Sequence, residues 1–204
     1  TETDGTIITL VDNYKGHRLN SPNDLAVKSD GTVWFTDPPY GLLGIGEGVQ
    51  SRSELDGCYV FRFDPLSGNI EIASDDFDKP NGIAFSPDES LLYISDTGRT
   101  HNPQGPHHIR VFDVEQGKYL TNGRVFANID PGVPDGFCLD GYGNLFTSAW
   151  DGVHVYSASA RLLGKIHLPE KTANCTFGGA DSNRLFITAS SSIYAVTINT
   201  RGSR

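Results

Sequence analysis

Ser21-Pro22-Asn23-Asp24-Leu25-Ala26-Val27 runs through Asp30-Gly31 to Val33-Trp34-Phe35-Thr36-Asp37, and the chain repeats this phrase. Lys79-Pro80-Asn81-Gly82-Ile83-Ala84-Phe85 leads through Pro87-Asp88 to Leu92-Tyr93-Ile94-Ser95-Asp96. Val133-Pro134-Asp135-Gly136-Phe137-Cys138-Leu139 leads through Asp140-Gly141 to Leu145-Phe146-Thr147-Ser148-Ala149. Asn174-Cys175-Thr176-Phe177 leads through Ala180-Asp181 to Leu185-Phe186-Ile187-Thr188-Ala189. Strand-like units recurring every 40 to 60 residues or so point to an all-β fold, a β-propeller. Equivalent positions of a propeller surround one axis, so Asn23, Asn81 and Asp135, each directly after a Pro, are expected to converge.

Around these phrases, runs rich in Val, Ile, Phe, Tyr and Thr alternate with Gly, Pro, Asp and Asn clusters, and helical periodicity is nearly absent. Segments 57–63, 70–73, 108–113, 123–127, 152–157, 164–168 and 193–198 read as the remaining strands. Residues 21–73, 79–127, 133–168 and 174–198 thus form about four blades, each with an inner and an outer pair of strands. Thr6 to Val11 reads as the outer strand of a preceding blade, and residues 201–204 as a tail outside a single domain spanning 1–200. The long segments 38–55 and 97–106 are candidates for recognition, as long loops on a rigid scaffold often are.

Composition narrows the partners. The 204 residues carry 25 acidic and 16 basic side chains, a formal charge of −9. That balance argues against nucleic acid and is compatible with a bound cation. No run of 18 apolar residues occurs, and the first residues lack a signal-peptide pattern. A cytoplasmic protein without a membrane partner is expected. The chain holds no Met, so Thr1 is not expected to be the natural start. Cys58, Cys138 and Cys175 show no metal or disulfide spacing, and Cys138 and Cys175 are expected to be small buried hydrophobes.

Read singly, Pro-Asn-Gly or Pro-Asp-Gly is turn chemistry. Recurring at equivalent places, the amide and carboxylate oxygens of Asn23, Asn81 and Asp135 read instead as one site for a hard cation. Asp30, Asp88, Asp140 and Asp181 fall between strand pairs and read as hairpin turns. Asp37 and Asp96 end their strands, where they either accept backbone N–H bonds or reach the axis. His101, His107 and His108 are candidates for acid/base work, with no ligand spacing. Trp34 and Trp150 read as packing between blades.

These residues resemble the SMP-30/gluconolactonase/LRE-like group of six-bladed propellers. The resemblance runs from Leu10 to about Ile198 and is carried by Ser21-Pro22-Asn23-Asp24-Leu25, Phe35-Thr36-Asp37-Pro38-Pro39-Tyr40-Gly41-Leu42, Pro80-Asn81-Gly82-Ile83-Ala84-Phe85-Ser86, Pro134-Asp135-Gly136 and Asn174-Cys175-Thr176-Phe177-Gly178-Gly179. It implies a metal-dependent hydrolase opening sugar lactones. One divalent cation is implied, Ca²⁺ first and Mg²⁺, Mn²⁺ or Zn²⁺ next, held by Asn81, Asp135 and Asn23. Asp135 doubles as catalytic acid/base, and Asn23, Asp37, Tyr40 and His107 are expected at a lactone or ester substrate. The same resemblance implies a Glu ligand in a Glu-Gly-Pro motif that this sequence does not contain. The expectation is therefore an N-terminally incomplete propeller, completed by an oligomer or a second polypeptide. The competing readings are a calcium-dependent phosphotriesterase or arylesterase, and a non-enzymatic binding module.

Overall fold

The computed structural model describes residues 1–44 and 48–203, and three of its four blades are four-stranded sheets. A two-stranded ribbon, β1 (Asn13–Tyr14) with β2 (His17–Arg18), precedes them. Blade 1 is β3 (Leu25–Val27), β4 (Val33–Asp37), β5 (Tyr59–Asp64) and β6 (Asn69–Ser74). Blade 2 is β7 (Pro80–Phe85), β8 (Leu91–Asp96), β9 (His108–Glu115) and β10 (Tyr119–Asn128). Blade 3 is β11 (Phe137–Leu139), β12 (Leu145–Ala149), β13 (Gly152–Tyr156) and β14 (Leu162–His167). Blade 4 has three strands, β15 (Thr172–Gly178), β16 (Arg184–Ala189) and β17 (Ile193–Thr197). Every neighbouring pair within a blade is antiparallel. Among the described residues no helix is long and apolar enough to cross a membrane.

The period of two along each strand sends alternate side chains to opposite neighbouring blades. On β8, Leu92 and Ile94 pack with Trp34 and Val60 of blade 1, whereas Tyr93 packs with Phe137 and Leu145 of blade 3. On β12, Phe146 turns the other way, to Cys175, Leu185 and Ile187 of blade 4. Trp34, Tyr93, Leu145 and Leu185 are almost wholly buried in these seams. Asp30, Asp88 and Asp140 close the first hairpin of their blades, as expected, by accepting local N–H and O–H groups.

Two expectations fail. Thr6–Val11 forms no strand. A strand needs a ladder partner, and β3 is paired with β4 alone. Residues 7–11 line an apolar cleft of about 370 Å³ with Leu25, Val33 and Phe35, leaving Ile7 and Leu10 mostly exposed. Residues 201–203, read as a loose tail, fold back onto blades 3 and 4. Gly141 N–H donates to the Arg201 carbonyl, Gly202 N–H to that of Ser182, and Ser203 N–H to that of Leu139. Arg204 lies outside the described residues, as do 45–47 of the long segment 38–55.

At the axis, first strands of successive blades approach until their backbones bond. Gly82 N–H donates to the Asp135 carbonyl (3.0 Å) and Gly136 N–H to that of Ala173 (2.8 Å). A Cβ on Gly82 would meet the Asp135 carbonyl oxygen at 2.7 Å, and one on Gly136 would meet the Asn174 side chain at 2.2 Å. The glycines of Pro-Asn-Gly and Pro-Asp-Gly are thus spacers between strands rather than turn residues. Gly82→Ala is expected to cost about 1–3 kcal/mol, the usual range for overpacking. Gly164→Ala, whose Cβ meets nothing within 4 Å, supplies the control. Equal denaturation midpoints for the two variants would remove the spacer role.

Candidate functional site

The chain builds the same cradle twice from a strand-end carboxylate. Asp37, at the end of β4, accepts the N–H groups of Asn20 and Ser21, both at 2.8 Å. Asp96, at the end of β8, accepts those of Asp78 (2.8 Å) and Lys79 (2.9 Å). Each clamped pair leads through a Pro into Asn23 or Asn81. In blade 3, where Ala149 stands at this position, Trp150 N–H bonds to the Pro131 carbonyl instead.

Hydroxyls on the second strands then reach main-chain atoms of the axial residues, two of them in the next blade. Thr36 Oγ1 donates to the Asn81 carbonyl (2.7 Å) and Ser95 Oγ to the Asp135 carbonyl (3.1 Å). Ser148 Oγ accepts the Asp135 N–H (2.9 Å). Main-chain bonds to three blades therefore hold the residues that present their side chains to the axis.

Those side chains meet. Asn23, Asn81 and Asp135 line one cavity of about 290 Å³ with Tyr40, Thr97, Thr100, His101 and Val133. Asn23 Nδ2 donates to Asn81 Oδ1 at 3.0 Å, and Asn81 Nδ2 donates to Thr97 Oγ1 at 3.4 Å. Tyr40 arrives on a short 3-10 turn, Tyr40–Leu42, tethered by the bond from Gly41 N–H to Ser21 Oγ (3.0 Å). Its hydroxyl bonds to Thr97 Oγ1, and its ring lies 5.6 Å from that of His101. Burial, reinforced by the Asp135 charge, pushes the Tyr40 phenol up to about 12, against the pull of the Thr97 bond. Tyr40 keeps its proton at neutral pH, so its hydroxyl is able to donate a hydrogen bond.

Two residues expected at the substrate lie elsewhere. Asp37 is fully buried and serves the clamp instead of the axis. His107 is not among the residues lining this cavity; its carbonyl accepts Ile129 N–H. Burial and the neighbouring Arg99 guanidinium hold its imidazole below the usual histidine range. His108 lines a separate cleft with Asp76, Asp78, Asp96 and Arg110. His101 is the histidine at the cavity, and the segment 97–106 shapes the cavity as expected. Thr97 was not legible beforehand, because the residue after this strand-end position has no repeating identity: Pro38 and Trp150 stand where Thr97 does.

A cation in this cavity would find hard oxygen donors, two amides and one carboxylate, a chemistry that fits Ca²⁺ or Mg²⁺. Among the described residues no group of three or more His, Cys, Asp or Glu converges on a point, so the anionic share would rest on Asp135. Calcium takes 6–8 oxygens, roughly twice what three side chains offer, leaving room for water or substrate. Asn81 already aims its Oδ1 away from Thr97. Asn23 presents its NH₂ to that oxygen and must turn over to share an ion with it.

The family model described as the SMP-30/gluconolactonase/LRE-like region matches residues 1–191. A gluconolactonase of Zymomonas mobilis is 36% identical over 203 residues, covering 95% of this chain and 54% of that protein. The pentonolactonase XacC of Haloferax volcanii is 29% identical over 92% of this chain and 64% of its own length. The solved structure of a gluconolactonase from Xanthomonas campestris is 41% identical, with a TM-score of 0.89 over 97% of this chain and 63% of that one. The chain thus spans about half the length of the Zymomonas protein.

Burial pushes Asp37 up to about 6, against the two N–H donors that favour its charged form, and it shifts Asp24 in the same direction. A carboxyl with a raised folded-state value supports the fold while protonated and loses that support as pH climbs from about 4 through 6. The loss amounts to about 2–3 kcal/mol at roughly 1.4 kcal/mol per unit. Stability measured from pH 4 to 7 is expected to show this downward step, and Asp37→Asn to lack it. A carboxyl ¹³C titration of Asp37 centred near pH 4 would contradict it.

Proposed function

The chain belongs to the SMP-30/gluconolactonase/LRE-like family, and we propose that it opens sugar lactones by hydrolysis in the cavity between Asn23, Asn81 and Asp135. The observation that carries the reading is the meeting of these three side chains, contributed by three different blades, around one small polar cavity. The 36% identical gluconolactonase of Zymomonas mobilis supports the same substrate class. Amide, carboxylate and hydroxyl groups in the lining suit a polyhydroxylated ring, beside the Tyr40 ring and Val133.

In this reading Asp135 takes the proton of the attacking water as general base and returns it to the departing ring oxygen. Asn23 and His101 contact substrate hydroxyls. Tyr40, which holds its proton, lines the cavity beside Thr97. Asn81, Asp135 and, once turned, Asn23 would hold a divalent cation, whose chemistry when bound is to polarise the lactone carbonyl. The polar groups lining the pocket suit the charge that develops on that oxygen.

Asp135→Asn keeps shape and removes the base. Base catalysis alone is worth about 10²–10⁴-fold. The expected result is a fall in gluconolactone hydrolysis of at least that size, with the melting temperature held within a few degrees. Chelation of divalent ions is expected to lower the parent's rate, and added Ca²⁺ to restore it. Activity within tenfold of the parent in Asp135→Asn would remove Asp135 from the catalytic role. A parent inert toward aldonolactones, with Ca²⁺ or Mn²⁺ present, would overturn the lactonase reading.

A further inference from the structure

Thr97 Oγ1 is almost completely buried and has three polar neighbours. It lies 3.2 Å from the Lys79 carbonyl, 3.4 Å from Asn81 Nδ2, and within hydrogen-bond distance of the Tyr40 hydroxyl. A threonine hydroxyl has one proton and two lone pairs. A carbonyl can only accept, so the proton goes to Lys79. Both lone pairs then face groups that must donate, the Tyr40 phenol and the Asn81 side chain. An amide donates only through its NH₂. The opposite face of Asn81, toward Asn23 and the cavity, is then left to the carbonyl oxygen.

We propose that Thr97 is a positioning residue that fixes the amide of Asn81, holding its NH₂ away from the cavity and its Oδ1 at the axis. Tyr40 supports this by filling the second lone pair of Thr97. An asparagine amide turns over at little intrinsic cost, and a flipped Asn81 would present hydrogens where an oxygen is needed. The hydroxyl of one residue thereby sets the sign of the potential at another. Asn23, whose NH₂ is spent on Asn81 Oδ1, is the amide that turns when a cation enters. This inference rests on the proposed cation site for its consequence, though not for its geometry.

The geometry is tested without metal. In protein labelled with ¹⁵N-Asn, the Asn81 NH₂ is expected to show nuclear Overhauser contact with the Thr97 methyl. Contact with the Asn23 side chain in its place overturns the proposal, whether or not the protein binds a cation. The consequence is tested by calorimetric titration with Ca²⁺. Thr97→Val, close in shape, is expected to weaken binding tenfold or more, and Thr97→Ser to stay within about threefold of the parent. Asn81→Asp presents oxygens on both faces, so in that background Thr97→Val is expected to cost no further affinity. An equal loss in both backgrounds, or a Thr97→Ser variant as weak as Thr97→Val at unchanged melting temperature, would show that Thr97 merely supports the fold. A parent that binds no Ca²⁺ would sink the cation reading while the Overhauser contact still decides the orientation of Asn81.

Discussion

The close approach of first strands at the axis is the constraint on which the rest depends. Gly82 and Gly136 bring neighbouring backbones near enough to exchange hydrogen bonds across the blade boundary. This contact couples what would otherwise be separate small sheets, each too small to bury its two faces alone. It also sets the spacing of the axial side chains. A methyl group at either glycine would push two blades apart and carry Asn81 or Asp135 with them.

Around that contact, two kinds of polar device replace the turn chemistry that Pro-Asn-Gly and Pro-Asp-Gly ordinarily signal. Asp37 and Asp96 gather the N–H groups of the approaching segment, and Thr36 and Ser95 take the carbonyls of the next blade's axial residue. Buried polar groups are costly unless paired, and here each pairing fixes a backbone position beside the cavity. The raised pKa of Asp37 reflects the tension in this arrangement: burial opposes its charge while two donors favour it.

Much of this was legible because repetition reports geometry. Asn23, Asn81 and Asp135 hold the same place in three phrases, and equal places in a propeller surround one axis, so their meeting followed from register alone. Hairpin aspartates 30, 88 and 140 were legible for the same reason. The failures occur where repetition stops. Thr6–Val11 has strand composition, yet a strand depends on its neighbour, and composition is silent about that. Asp37 carried two readings because a carboxylate at a strand end serves either a clamp or an axis. His101 and His107 lie six residues apart in a loop whose path no periodicity describes, and Thr97 occupies a position where the other blades carry Pro and Trp.

Hydrogen bonds hold the main-chain atoms of Asn23, Asn81 and Asp135, whereas the cavity is lined by the side chains of the same residues. Shape and chemistry are thus written in separate atoms of Asn23, Asn81 and Asp135. Exchanging one of these side chains for another of similar size would alter charge, ligand strength or proton affinity while leaving the strands nearly untouched. A scaffold built this way is tolerant of experiment at its own centre. Its axial positions are where new reactivity is reached by the fewest changes, and its strand-end carboxylates and glycines are where change is least forgiven.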